Sequence, residues 1–226
     1  MLYDAYEVQR SWLAGASQIA NLSSNWLSSS ANPLSYHGMS GIVAASLDVF
    51  AHAAAPRGKP EFGFESVTIG GKVVPVREEI VDRMPFGQLK HFKREGAPEG
   101  QPCLLIVAPM SGHFATLLRG TVERLLPGHE VYITDWRDAR MVPIKDGSFD
   151  LDDYVDTLIG WLAKIGPGAH MLAVCQPSVP AFAATALMNA DSHPATPRSL
   201  TMMGGPIDTR EAPTAVNTLA TERPHA

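Results

Sequence analysis

Apolar residues recur in pairs at the start of the chain. Ala5-Tyr6, Trp12-Leu13, Ile19-Ala20 and Trp26-Leu27 follow one another every seven residues, which predicts one long helix over residues 3–28 with these pairs on a single face. Ser28-Ser29-Ser30 and Asn32-Pro33 then break the pattern. A second helix is expected from about Ser40 to Ala53, with Ile42, Ala45, Val49 and Phe50 on one side, before Pro56-Arg57-Gly58-Lys59-Pro60 marks a linker. Two uses fit such a helical pair: packing against the rest of the protein, or an apolar attachment surface for a partner or a hydrophobic particle.

From Phe64 the period changes to two. Residues 64–69 and 73–76 flank Gly70-Gly71-Lys72 and read as a hairpin, and a further strand is expected around Leu89 to Phe92. The continuous apolar run Cys103-Leu104-Leu105-Ile106-Val107-Ala108 has the character of a central parallel strand. A loop, Pro109 to His113, leads from it into a helix with Phe114, Leu117, Leu118, Val122 and Leu125 on one face. Val131-Tyr132-Ile133-Thr134 is the next strand and ends in Asp135-Trp136. The following helix begins among Asp150, Asp152 and Asp153, where the helix dipole favours negative charge, and its stripe is Leu151, Tyr154, Val155, Leu158, Ile159 and Leu162. A strand over residues 171–174, a helix to about Asn189 and a strand over residues 199–203 complete the series. Strands alternating with helices predict a parallel sheet covered on both faces, with the site at the carboxyl ends of the strands.

One of those ends carries the chemistry. Met171-Leu172-Ala173-Val174 reads as a buried strand, Cys175 follows it, and a helix opens with Pro177, where a missing N–H costs nothing. A strand that stops at a nucleophile and turns at once into a helix is the elbow of α/β-hydrolases, usually spelled G-x-S-x-G and here Ala173-Val174-Cys175-Gln176-Pro177. A thiolate suits this place, because unpaired helix N–H groups stabilise it, and the N–H of Gln176 would face the oxyanion of an acyl intermediate. The other reading is a small, inert cysteine in a core strand. A second oxyanion donor is expected from the loop after the third hydrolase strand, whose place Cys103 to Ala108 takes, so Ser111 and Gly112 are candidate donors. Gly112 also fits an ordinary strand-to-helix turn. The fold class is therefore α/β, an α/β-hydrolase truncated after about the sixth strand, with an N-terminal helical region over residues 1–60 and a partial hydrolase domain over residues 61–226.

Composition narrows the function. The chain has 226 residues, 45% of them hydrophobic and 18% charged, which is ordinary for a folded protein. A net charge of −5 without a Lys/Arg run argues against nucleic acid as a partner. Two cysteines, Cys103 and Cys175, give neither a disulfide framework nor a metal-finger spacing, and the eight histidines contain no His-x-x-x-His pair. No metal and no cofactor are expected. Acidic residues at the N-terminus and the lack of a long apolar run predict no signal peptide and no transmembrane segment, hence a cytoplasmic protein.

Three runs carry a family resemblance. They are Ala108-Pro109-Met110-Ser111-Gly112-His113-Phe114-Ala115-Thr116-Leu117-Leu118-Arg119, Tyr132-Ile133-Thr134-Asp135-Trp136-Arg137-Asp138-Ala139-Arg140 and Ala173-Val174-Cys175-Gln176-Pro177-Ser178-Val179-Pro180, together with the opening Met1-Leu2-Tyr3-Asp4-Ala5-Tyr6. The chain resembles, over essentially its whole length, the intracellular polyhydroxyalkanoate (polyhydroxybutyrate) depolymerases of bacteria. The resemblance implies a cytoplasmic ester hydrolase associated with storage granules, with Cys175 as nucleophile in place of the more usual serine. His113, in the loop opposite, is then expected to contact substrate. The polymer or granule surface is the expected partner, and a homo-oligomer is compatible with it.

The acid and histidine of the triad follow the nucleophile in chain order in such enzymes. The candidates downstream of Cys175 are Asp208, Glu211, His193 and His225; Asp208 follows a strand and could imitate the acid, but no strand is left to position His225, so the sequence reads as the N-terminal half of a longer enzyme and as an inactive fragment. Two alternatives remain open. Polyhydroxyalkanoate synthases also place a cysteine on this core, though with a G-x-C-x-G elbow that Ala173 and Pro177 do not match. A non-catalytic granule-binding protein is the other.

Overall fold

A computed structural model describes residues 2–33, 38–55, 58–110, 114–205, 207–208, 210–211 and 214–222. It divides into two compact units, Met1–Lys59 and Pro60–Ala226.

The first unit is a pair of helices, α1 (Leu2–Ser28) and α2 (Gly38–Ala54). Their seam is made of small side chains: Ser17, Ala20 and Ser24 of α1 are buried, as are Ala44 and Ala51 of α2, and the Ser24 hydroxyl donates to the Ala44 carbonyl at 2.9 Å. The expected single apolar face is therefore corrected. Ala5 and Tyr6 are both exposed, and the three later pairs of the seven-residue repeat are split, with Trp12, Ile19 and Trp26 outward while Ala20 is buried and Leu13 and Leu27 are half-buried. Ile42, Val49 and Phe50 of α2 are likewise exposed. Small residues permit close helix approach, and that approach turns the larger ones away. Among the described residues no helix is long and apolar enough to cross a membrane.

The second unit is built on a seven-stranded sheet, β1 (Ser66–Ile69), β2 (Lys72–Met84), β3 (Gly87–Arg94), β4 (Cys103–Val107), β5 (Glu130–Trp136), β6 (His170–Val174) and β7 (Leu200–Met203). The order across the sheet is β1-β2-β3-β5-β4-β6-β7. Strands β1 to β3 form an antiparallel meander, β3 pairs antiparallel with β5, and β5, β4, β6 and β7 run parallel. The β1–β2 turn uses Gly70 and Gly71 at φ 56° and 81°, a conformation that suits glycine. Strand β2 is 13 residues long, far past the expected end at Val76.

Helices α3 (Arg119–Leu125), α4 (Leu151–Ile165), α5 (Ser178–Ala190) and α6 (Ala215–Glu222) complete the unit. Alternation along the central strands sends successive side chains to opposite faces. Leu105, Val107, Met171 and Ala173 pack with α4 and α5 on one face, whereas Leu104, Ile106, Ala108 and Leu172 pack with Val122 and Leu126 of the α3 region on the other. A mixed sheet with this order, parallel centre and helices on both faces is the α/β-hydrolase fold, here with an N-terminal helical extension.

Three local expectations change. The helix expected from Phe114 opens as a 3-10 turn over Ala115–Leu118, which places Leu117 outward and buries Ala115 and Leu118. Helix α4 buries Trp161 in its stripe and leaves Leu151 exposed beside the N-cap. Its start is a capping box: the Asp150 carboxylate accepts from the N–H groups of Asp152 and Asp153, and Asp153 accepts from the Asp150 N–H. The sequence pattern also gave no sign of α6.

Candidate active site

Strand β6 ends at Val174, and Cys175 turns the chain with φ 67°, one of two non-glycine residues at positive φ among the described residues. Left-handed backbone is costly for a side-chain-bearing residue, so it persists only where neighbours hold it. Here the Cys175 N–H donates to the Met203 carbonyl of β7 at 2.8 Å, and the Ser178 N–H donates to the Cys175 carbonyl at 3.0 Å. Helix α5 is assigned from Ser178, so Pro177 is its N-cap rather than its first residue. Pro177 already has helical φ and ψ, and its carbonyl accepts from the Ala181 N–H at 3.0 Å.

The turn leaves the Cys175 side chain exposed at the N-terminus of α5. Gln176 is exposed as well, and its N–H finds no acceptor among the described residues. A thiol and an unspent backbone donor at one helix end are the two parts that acyl transfer needs from this strand. Cys103 is different in kind. It is half-buried, and burial, with Glu130 nearby adding to the effect, pushes its thiol up to about 11. At neutral pH it stays protonated and unreactive.

Side chains at the end of β5 fix the residue that leaves β4. The Ala108 N–H donates to Thr134 Oγ1 at 2.9 Å, and Trp136 Nε1–H donates to the Ala108 carbonyl at 2.9 Å. Both backbone groups of the residue that leaves β4 are thus fixed by side chains of β5. Asp135, between them, has a fully buried carboxylate that accepts from Gln88 Nε2 at 2.8 Å and has Lys90 Nζ at 3.7 Å. Ser111, Gly112 and His113, the expected donors and substrate contact, lie outside the described residues, as does His225.

None of the other downstream candidates has a hydrogen bond or ion pair to Cys175 among the described residues. Asp208 is exposed and clamped by Arg210, whose guanidinium accounts first for holding the carboxyl below its usual range. His193 lies past the far end of α5, about 20 Å along a 13-residue helix from the elbow, and its Nδ1 accepts from the Ala195 N–H. Glu211 donates its N–H to the Asp208 carbonyl within the same short turn.

Sequence reasoning missed three residues that shape the carboxyl ends of these strands. Thr134 and Trp136 act as above. Gly205 lies where a side chain would collide with Cys175 and Ser178: an added β-carbon would sit 2.4 Å from the Cys175 carbonyl oxygen. The signal was present as Gly204-Gly205 directly after the last apolar strand, but a pair of glycines after a strand is also an ordinary turn.

No family model matches the chain, and no curated protein does. Among solved structures it is similar to a membrane phospholipase A described as a novel bacterial virulence factor, at 16% identity and a TM-score of 0.42 over 59% of this chain and 40% of that one. It is also similar to a protein described as a lipase from Acinetobacter baumannii, at 17% identity and 0.40 over 66% and 47%. A thioesterase domain from the curacin biosynthetic pathway gives 17% identity and 0.40 over 65% and 52%. The chain therefore spans about half the length of these proteins, or less. Likenesses this distant carry no weight for fold or chemistry, which rest on the strand order and on the turn at Cys175.

Proposed function

We infer that the chain belongs to an ester hydrolase in which Cys175 is the nucleophile. The observation that carries this reading is the left-handed turn at Cys175, which presents an exposed thiol between the end of a central parallel strand and the start of a helix. In the reaction the Cys175 thiolate attacks the ester carbonyl, and the tetrahedral oxyanion is held by the N–H of Gln176 with donors from the loop containing Ser111 and Gly112. Collapse expels the alkoxide, which takes up a proton, and leaves a thioester on Cys175. Water then attacks that thioester, returning the thiol and releasing the acid.

The substrate is assigned by the family resemblance of the three runs quoted above: polyhydroxyalkanoate, chiefly polyhydroxybutyrate, in storage granules, with His113 contacting the polymer and the protein residing in the cytoplasm at the granule surface. Incubation of residues 1–226 with the p-nitrophenyl ester of 3-hydroxybutyrate, followed by peptide mass mapping, tests the reading. The expected result is one hydroxybutyryl group on the Cys175 peptide, lost in Cys175→Ala. An unmodified Cys175 under conditions that acylate a small free thiol would refute it.

A further inference from the structure

The helical pair of the first unit has its large and small apolar residues in the reverse of the usual order. The seam between α1 and α2 is Ser17, Ala20, Ser24, Ala44 and Ala51. The large apolar residues of α1 point away from it: Val8, Trp12, Ile19, Leu22 and Trp26 are all exposed, Trp12 by 70% and Trp26 by 59%. With Gly15 between Trp12 and Ile19, their spacing alternates four and three, which keeps them on one straight stripe. Helix α2 repeats the arrangement with Met39, Ile42, Val43, Val49 and Phe50.

The stripe on each helix lies roughly a third of a turn or more from its seam. Ser24 in the second half of α1 meets Ala44 in the first half of α2, so the pair is antiparallel. At about 3.6 residues per turn, this geometry rotates both stripes toward the same side of the pair. Glu7, Arg10, Gln18, Asn21 and Asn25 of α1, with Asp48 and His52 of α2, fall toward the other side. The pair is a two-helix raft with one apolar and one polar face. A seam of alanines and serines buries little apolar area, so in water the raft lacks the core that normally holds two helices together. Small-residue seams with large residues outward are the arrangement of helices whose surroundings are themselves apolar.

The chemistry of the face selects its occupant. From Ser11 to Leu47 there is no Asp, Glu, Lys or Arg, so nothing along the stripe pairs with an anionic lipid headgroup or a charged protein. No charges flank the stripe to set the register of a coiled-coil partner. Its conspicuous polar atoms are two indole N–H donors, Trp12 and Trp26, about 21 Å apart on a helix about 40 Å long. An extended neutral surface that is apolar and offers acceptors but no charge matches all of these features, and an aliphatic polyester, with its ester carbonyls, is such a surface. We propose that the outward Trp12–Trp26 face of the α1–α2 raft docks on the surface of the polyester body whose ester bonds are the substrate. This assignment rests on the ester-polymer reading above.

The test uses the whole chain and amorphous poly(3-hydroxybutyrate) particles, with sedimentation as the readout. The Trp12→Ser/Trp26→Ser variant is expected to lose about tenfold or more in bound fraction, while Asn21→Ser/Asn25→Ser, on the polar side, and Cys175→Ala bind as wild type. A measurement on the unaltered chain guards against misfolding of the variant. Of its four tryptophans, Trp136 and Trp161 are buried, so acrylamide quenching reports Trp12 and Trp26, and that quenching should fall when particles are added. Equal sedimentation of the double tryptophan variant, or quenching unchanged by particles, would overturn the proposal. So would a particle-free dimer that the double variant dissolves, because a second copy would then own the face. A wild-type chain that acylates at Cys175 but does not bind the particles removes the raft alone. Binding without acylation removes the hydrolase reading instead.

Discussion

A β-carbon on Gly205 would stand 2.0 Å from the Ser178 Oγ, closer than any real contact allows. Ser178 begins α5 and is buried, with its hydroxyl unpartnered among the described residues. The exit of β7 is therefore pressed directly against the turn that carries Cys175. Gly205→Ala must move either that exit or the start of α5. The expected cost is about 1–3 kcal/mol in a denaturant titration, the range of overpacked sites. Thiol alkylation at Cys175 should change with it. A variant as stable as wild type with unaltered Cys175 reactivity would show that the approach is looser than described.

Reactivity should separate the two cysteines. Cys175 is exposed at a helix N-terminus, whereas the Cys103 thiol is half-buried and pushed up to about 11. At pH 8 iodoacetamide is expected to label Cys175 at least about tenfold faster in the folded chain, with the difference collapsing in denaturant. Raising the pH toward 11 should bring Cys103 into reaction. Its folded pKa lies above the unfolded value, so the contribution it makes to stability is present below about 9 and is lost as pH rises through about 11. Peptide mapping after timed quenching gives both rates.

Thr134 and Trp136 fix the two backbone groups of Ala108, and each bond should be separable. Trp136→Phe leaves the buried Ala108 carbonyl without its donor, and Thr134→Val leaves the N–H without its acceptor. A buried polar group stripped of its partner costs about 1–3 kcal/mol. Thr134→Ser keeps the hydroxyl and should recover most of that loss. If the loop beyond Ala108 supplies an oxyanion donor, both disruptive variants slow acylation of Cys175 more than they slow its alkylation, which needs no oxyanion hole. Equal slowing of the two reactions would assign Thr134 and Trp136 to stability alone.

Asp82 offers a pH-linked check on the packing of α4. Its carboxylate accepts from Lys164 Nζ at 2.6 Å and from Trp161 Nε1 at 3.0 Å, and the Lys164 bond is the main reason its pKa lies below the ordinary value. A folded value below the unfolded one means that the unfolded chain takes up the proton first. The stability is thus present above the ordinary carboxylate pKa and lost as pH falls through the lowered one. Lys164 is half exposed, so solvent screening limits the effect to about 1 kcal/mol or less. Asp82→Asn should destabilise by that amount at pH 7, and the two proteins should converge in acid. A constant difference across the titration would place the effect in packing.

The central strands were legible because their environment is uniform. A run such as Leu104 to Ala108 is buried on both faces, and no other element tolerates that pattern at that length. The elbow was legible because a cysteine between an apolar strand and a proline-led helix has few structural roles. Strand β2 was read short because Arg77, Glu78, Glu79, Asp82 and Arg83 erase the apolar alternation. They are stabilised instead by pairs the sequence does not display, such as Lys90 with Glu78 and Arg77 with Glu79. The face of α1 was misread for a different reason. Periodicity finds a stripe but cannot say which of two stripes, one small and one large, meets the neighbouring helix. Gly205 and Thr134 act only through contacts between strands distant in sequence, so no local pattern marks them.

The last prediction is that residues 1–226 acylate without turning over. Cys175 is exposed at the head of α5, beside the exposed Gln176 and its backbone N–H. Among the described residues, however, no imidazole hydrogen-bonds to Cys175: His193 is past the opposite end of α5, and His170 opens β6 with its Nδ1 against Ser199 Oγ at 2.8 Å. Without a base to activate water, the thioester should persist. For the worked serine-protease case, loss of the catalytic base costs roughly 10⁶ in rate, leaving only the oxyanion hole and binding. A p-nitrophenyl ester should therefore give a burst of about one equivalent and then a flat trace, with the acyl group recoverable on Cys175. A second addition of substrate should give no second burst, and hydroxylamine, which cleaves thioesters, should restore it. Steady release after the burst would require a base within reach of Cys175. His113 is then the first residue to replace, and His113→Ala would have to flatten the trace.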